Sequence, residues 1–168
     1  MLQTLEYKSL IAHMSPYFWV QIVMVLICAG IIGFERQVSK KPSGIRTSIL
    51  ITLGSFLFVK YAVMTLGAYQ GPGGDPTRVI GQVVTGIGFL GAGTIMNREG
   101  LVVGLTTAAT IWVQSAIGIL IALGYLVDAF IFSLVTLITL QLVTKLEAYI
   151  RILRHRTRGP VKKKAEDV

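Results

Sequence analysis

One cysteine, two histidines and eight acidic residues are spread over the 168 positions of this chain, so the side chains that usually hold metals or move protons are scarce. The lone Cys28 lies inside an apolar run, which excludes an intramolecular disulfide and argues against a thiolate metal cluster. His13 and His155 stand near opposite ends of the chain, on opposite sides of a membrane in the topology derived below, so they share neither a triad nor a metal. Charge is scarce too: 14% of residues are charged and 53% hydrophobic, with a mean hydropathy of +0.69. A soluble globule carries about 25% charged residues. The solvent for most of this chain is therefore lipid.

What charge there is leans basic, with a formal net of +8. The Lys and Arg residues flank apolar runs and crowd the last twenty positions, without a zinc-finger or RNP pattern, so they report topology and lipid contact, not nucleic-acid binding.

Apolar runs at about Phe18–Phe34, Thr47–Leu66, Pro76–Met96, Gly104–Leu123 and Asp128–Leu146 predict five transmembrane helices in one compact all-α bundle, residues 1–146. Residues 147–168 form a basic tail. The first run is a retained span, because Lys8 is the only basic residue before it and Leu26-Ile27 supplies no small residue ahead of Cys28 for lipoprotein-type cleavage. Tyr17 and Trp19 mark its interfacial end. Connections containing Pro42 and Gly44, then Gly67 to Pro76, Asn97 to Gly100, and Gly124 separate the spans.

Orientation follows from the basic residues, since basic loops stay cytoplasmic. One set of alternating connections holds Arg36, Lys40, Lys41, Arg46, Arg98 and the tail from Lys145 to Lys164, and the other holds only Lys8 and Arg78. The N-terminus is expected outside and the C-terminus in the cytoplasm. Lys60 falls near the outer end of the second span, where it either snorkels outward or pairs with Asp75 or Asp128. Leu146, Tyr149, Ile150 and Leu153 face one side of the tail and basic residues the other, so the segment is expected to lie on anionic lipid as far as Gly159-Pro160.

The third span opens with Asp75 as N-cap and Pro76 at the first helical position. At about 100° per residue, Gly81, Thr85, Gly88 and Ala92 form one small-residue stripe, and Gly86 and Gly93 share a second face with Gln82. Small residues let membrane helices approach closely, so Gly81, Gly86, Gly88, Gly91 and Gly93 predict a central, tightly packed third span. The rival reading is an interrupted helix whose carbonyls meet an ion.

On the fourth span Thr106, Thr107, Thr110, Gln114 and Gly118 form a polar stripe, which serves either as hydrogen-bonding glue to helix backbones and Gln82 or, with Asp75 and Arg78, as lining for a small-solute path. Trp112 is expected to point into the bundle. Gly86 to Gly91 matches the spacing of a dinucleotide loop, but Pro76 opens a helix where a strand is needed and no acidic residue follows about 20 positions on. A Walker A sequence is also lacking, so neither an enzyme site nor a cofactor is expected, and a metal site is left unassigned.

Read together, Gly33-Phe34-Glu35-Arg36-Gln37, Pro42 to Thr47, Asp75 to Arg78 with Gln82 to Gly93, Arg98-Glu99-Gly100 and Gly104 to Trp112 resemble the MgtC/SapB membrane proteins across roughly Gly33 to Gly124. The resemblance implies a multi-pass protein of the bacterial inner membrane, linked to magnesium homeostasis and adaptation to low magnesium, including inside host cells for some pathogens. It is to a short form, without the soluble ACT-like domain of some members, and Thr106 and Val113 depart from one branch's asparagine and cysteine. The family's charged motif maps to Glu35, Arg36, Arg46, Arg98 and Glu99, at the cytoplasmic ends of the first four spans. These residues form either a clasp, at about 0–1 kcal/mol per exposed pair, or a docking site for a membrane or cytoplasmic partner. Two functions remain: a regulator that works through a partner, or a permease for magnesium or another small solute built by a homo-oligomer.

Overall fold

The computed structural model describes residues 15–68, 75–98 and 100–157, with side chains over 15–65, 75–98 and 100–146. Five helices follow one another: α1 (Pro16–Val38), α2 (Ile45–Ala68), α3 (Pro76–Gly93), α4 (Leu105–Leu123) and α5 (Leu126–Thr157). Four of them, α1, α2, α4 and α5, are long and apolar enough to cross a membrane. The fifth, α3, has 18 residues, and Arg78, Gln82 and its glycines dilute its hydropathy. At 1.5 Å per residue it is still about 27 Å long, close to the thickness of a hydrocarbon core.

Local chemistry sets the ends. Pro16 occupies the first turn of α1, where no backbone N–H is missed. Lys40 closes that helix in the left-handed region, φ 53°: Lys40 N–H reaches the Gln37 carbonyl and Lys41 N–H the Arg36 carbonyl. Gly124, φ 95°, ends α4 in the same way, with its N–H on Ile121 and that of Tyr125 on Leu120. Asp75 caps α3 as expected, accepting from Thr77 N–H at 2.8 Å.

Between α3 and α4 the chain makes a small antiparallel hairpin, β1 (Met96–Arg98) against β2 (Leu101–Val103), where a plain hinge was expected. Its geometry depends on two glycines in the left-handed region, Gly100 at φ 81° and Gly104 at φ 96°. A Cβ at Gly104 would run into the Thr94 carbonyl, so the return of the chain into α4 needs glycine there.

The core is built on α4, which touches all four other helices. Ten of its 19 residues are buried, from Thr107 to Ala122, whereas α3 buries only Ile87 and Gly91. This corrects the expectation that the third span is central. Positions where a Cβ would grow from Gly81, Gly86, Gly88 and Gly93 meet nothing within 4 Å, and only Gly91 lies against another helix, at Ala108. Close approach happens elsewhere. Gly118 of α4 sits on the Thr52 carbonyl of α2, and Gly33 of α1 lies where a Cβ would come 2.7 Å from Ile45 Cα and 2.8 Å from Ser48 Cβ. Trp112 is also corrected: its side of α4 faces outward and the residue is 55% exposed, because Thr110, Ile111, Gln114 and Ser115 occupy the inward arc. It stands about 10 Å from the start of α4, well inside the span and on its outer side.

Helix α5 continues unbroken from Leu126 to Thr157, 32 residues or about 48 Å, so it projects well beyond a core of about 30 Å. The expected start of the tail at residue 147 is thus a continuation of the same helix. The side chains from Glu147 onward, and residues 158–168 altogether, lie outside the described residues, as do the first fourteen.

Candidate functional site

The neighbours of the helix ends assign each to one of two poles. At one pole the Tyr17 hydroxyl donates to the Gly124 carbonyl at 3.4 Å, and Lys60 Nζ lies 5.7 Å from the centre of the Tyr17 ring. That cation–π contact answers the question about Lys60, which makes no ion pair with Asp75 or Asp128. Asp75 begins α3 away from the second pole, its carboxyl held below the usual range by the hydroxyl and amide of Thr77. Arg78 is one turn further on and exposed.

At the second pole, α1 ends, α2 begins, and the hairpin joins α3 to α4. Here a cavity of about 720 Å³ opens between the α1–α2 turn, the hairpin, the start of α4 and the middle of α5. Arg36, Lys41 and Arg98 line it, and among the described residues its lining includes no carboxylate. Hydroxyls come from Thr94, from Thr106 and Thr107 of α4, and from Thr139 and Thr144 of α5. Leu105, Leu140 and Val143 supply an apolar wall.

Glu35 and Arg36 are buried, at 7% and 2% exposure, so these two are not exposed as expected, whereas Arg46 and Arg98 are. They pair with each other, Arg36 Nε to Glu35 Oε2, while the Ser39 hydroxyl donates to Glu35 Oε1 at 2.8 Å. Both oxygens of Glu35 are thus engaged by α1 and its cap. No ion pair joins one loop to another among the described residues, so the clasp between loops is not seen there. Arg98 reaches the cavity with Arg36, Arg46 is exposed and outside it, and Glu99 lies outside the described residues. Lys41 and the two threonines of α5 join the site without having been singled out. Lys41 follows directly on the α1 cap, but nothing local marks Thr139 or Thr144, since α5 is apolar on every side.

The polar stripe of α4 divides in two. Its first turn, Thr106 and Thr107, opens on the basic cavity. Beyond it the stripe is closed against α2: Gln114 Nε2 donates to Ser48 Oγ at 2.8 Å and Ser55 Oγ meets Ser115 Oγ at 2.8 Å. Thr110 bonds back to the Thr106 carbonyl of its own helix. Gln82 is not among these partners. It borders a groove of about 520 Å³ between α2 and α3, whose walls are chiefly apolar. The layer therefore acts as glue between α2 and α4, and Gly118 gives the close approach that brings those hydroxyls into range. No group of three or more His, Cys, Asp or Glu side chains suited to a metal occurs among the described residues.

Residues 22–149 match the MgtC family. The chain is 43% identical over 131 residues to the "Putative magnesium transporter YhiD" of Escherichia coli (strain K12), covering 76% of this chain and 61% of that protein. It is 42% identical over 103 residues to "Protein MgtC" of Brucella abortus (strain 2308), covering 61% of this chain and 41% of that one. With "Protein MgtC" of Salmonella typhimurium the identity is 38% over 125 residues, 74% of this chain and 51% of the relative. The chain thus spans about two fifths to three fifths of the length of these relatives. No solved structure matches it. With four membrane-length helices, the glycine-bearing α4 among them, and a match that runs from the first helix into the fifth, the chain is a membrane protein of the MgtC family.

Proposed function

We propose that the protein is a non-enzymatic regulator in the bacterial inner membrane, tied to magnesium homeostasis, which acts by docking a partner at its basic pole. The observation that carries this reading is the sign of the charge there. Among the described residues, Arg36, Lys41 and Arg98 line one cavity and no acidic side chain does, and with Glu35 paired to Arg36 the charges of Lys41 and Arg98 remain. A divalent cation about 6 Å from one such side chain is opposed by about 5 kcal/mol at an effective dielectric of 20. Mg²⁺ also asks for oxygen ligands and gives up its water reluctantly. A mouth of this kind attracts anionic groups and turns magnesium away. The positive-inside rule puts the same pole, with Lys40 and Arg46, in the cytoplasm, within reach of cytoplasmic or membrane partners.

A second reading, an oligomeric permease, draws support from α3. That helix exposes Gln82 and Thr85 among glycines, a polar strip that a second copy would have to cover or share. The name of the Escherichia coli relative points the same way.

Growth in low magnesium tests the regulatory reading. In cells lacking their own copy, Arg98→Gln should accumulate to the wild-type level, since the residue is exposed, yet fail to restore growth. Full restoration at matched protein level would overturn docking at this pole.

A further inference from the structure

Arg36 is deeply buried and ion-paired through Nε with Glu35. Its side chain is 3% exposed, and the pairing through Nε leaves its two terminal amino groups out of that bond. A guanidinium bonded to its carboxylate through Nε alone keeps its terminal N–H groups available for a further acceptor. The residue lines the 720 Å³ cavity, together with Lys41 and Arg98.

We propose that this cavity binds a phosphate group, with Arg36 as its fork-shaped ligand and Lys41 and Arg98 as flanking cations. A carboxylate would satisfy one guanidinium. Lys41 and Arg98, neither ion-paired among the described residues, add two charges to the Arg36 donors, and phosphate meets them with more charge and more acceptor oxygens than a carboxylate, in the geometry arginine matches. Thr106 and Thr107 from α4 bring hydroxyl groups to the same space, while the Thr144 hydroxyl donates to the Leu140 carbonyl of its own helix. The volume falls in the range of small-molecule sites, about 300–1,000 Å³, larger than a bare anion needs. Leu140 and Val143 form one wall on α5, a helix whose Leu142 is 61% exposed on the outside of the bundle. Cations and hydroxyls beside an apolar wall at a membrane-helix end fit the headgroup of an anionic phospholipid, with its glycerol and first methylenes against α5. This binding concerns a small anion inside the cavity and holds whether or not a protein partner docks on the hairpin.

The full-length protein, purified in a neutral detergent, is presented with dioleoylphosphatidylglycerol, dioleoylphosphatidylcholine or inorganic phosphate, and bound lipid is counted by native mass spectrometry after a wash in high salt. The wash removes lipid held only by exposed basic residues, whose attraction is screened. The wild type should retain phosphatidylglycerol at least tenfold over phosphatidylcholine, and Lys41→Gln/Arg98→Gln should lose most of that preference while melting normally. Glu35→Gln/Arg36→Gln, which removes both charges together and so leaves no lone buried ion, should abolish it. If inorganic phosphate alone raises the melting temperature of the wild type and not of the variants, with no lipid preference, the site is a phosphate site whose source is soluble. Equal retention of both lipids with no response to phosphate, or an undiminished preference in both variants, overturns the proposal.

Discussion

The Gln114 amide donates to the Ser48 hydroxyl at 2.8 Å, and Ser48 in turn stands where a side chain at Gly33 would need to be. Three helices therefore meet at one serine. Buried hydrogen bonds between membrane helices contribute about 0.6 kcal/mol on average, because the separated helices find other partners. A double-mutant cycle of Gln114→Leu and Ser48→Ala should return a coupling of about that size. A coupling indistinguishable from zero would mean that the contact is incidental.

Glycines divide by what lies opposite them. Gly118→Ala and Gly33→Ala push a methyl group into backbone of α2, and overpacking of this kind costs about 1–3 kcal/mol. Thermal stability in detergent should fall for both. Gly88→Ala should leave it unchanged, since nothing lies within 4 Å. Loss of stability at Gly88 and none at Gly118 would reverse the assignment of α4 as the central helix.

Gly104→Ala combines a left-handed residue, φ 96°, with a collision against the Thr94 carbonyl. The conformation alone costs about 1–2 kcal/mol for a residue with a Cβ. The variant should be destabilised by at least that amount, whereas Gly100→Ala meets no neighbouring atom and should lose only the conformational part. Equal melting temperatures for Gly104→Ala and wild type would contradict the hairpin geometry.

These positions also show how far the sequence could be read. Hydropathy located five helices, and the run Asp75-Pro76-Thr77 foretold its cap, because each rests on residues adjacent in the chain. Which glycines touch another helix was not legible. Spacing on α3 defines a stripe but does not name the helix opposite, and the approach is made by Gly118 and Gly33. The hairpin was hidden because its strands are three residues long and depend on Gly100 and Gly104, two glycines that equally suit a loop. The charged motif Glu35-Arg36 was visible, but its burial was not, since that depends on the other helices that pack against α1. Lys60 showed the same limit: its partner is Tyr17, 43 positions away on another helix, and not an acidic residue.

Topology can be checked directly. Reporters inserted at Lys41 or Gly100, both at the basic pole, should read cytoplasmic, and one at Tyr125 should read external. An external signal at Gly100 with a cytoplasmic one at Lys41 would show that α3 enters and leaves on the same side.

The most direct test of the account is magnesium flux into proteoliposomes of the purified full-length protein, followed with an indicator trapped inside. A basic pole built to meet anions predicts entry no faster than into protein-free vesicles, at any outside concentration and in either orientation. Saturable entry that scales with protein content, and falls when Gln82 or Thr85 on the exposed face of α3 is replaced, would contradict the regulatory account and establish a permease.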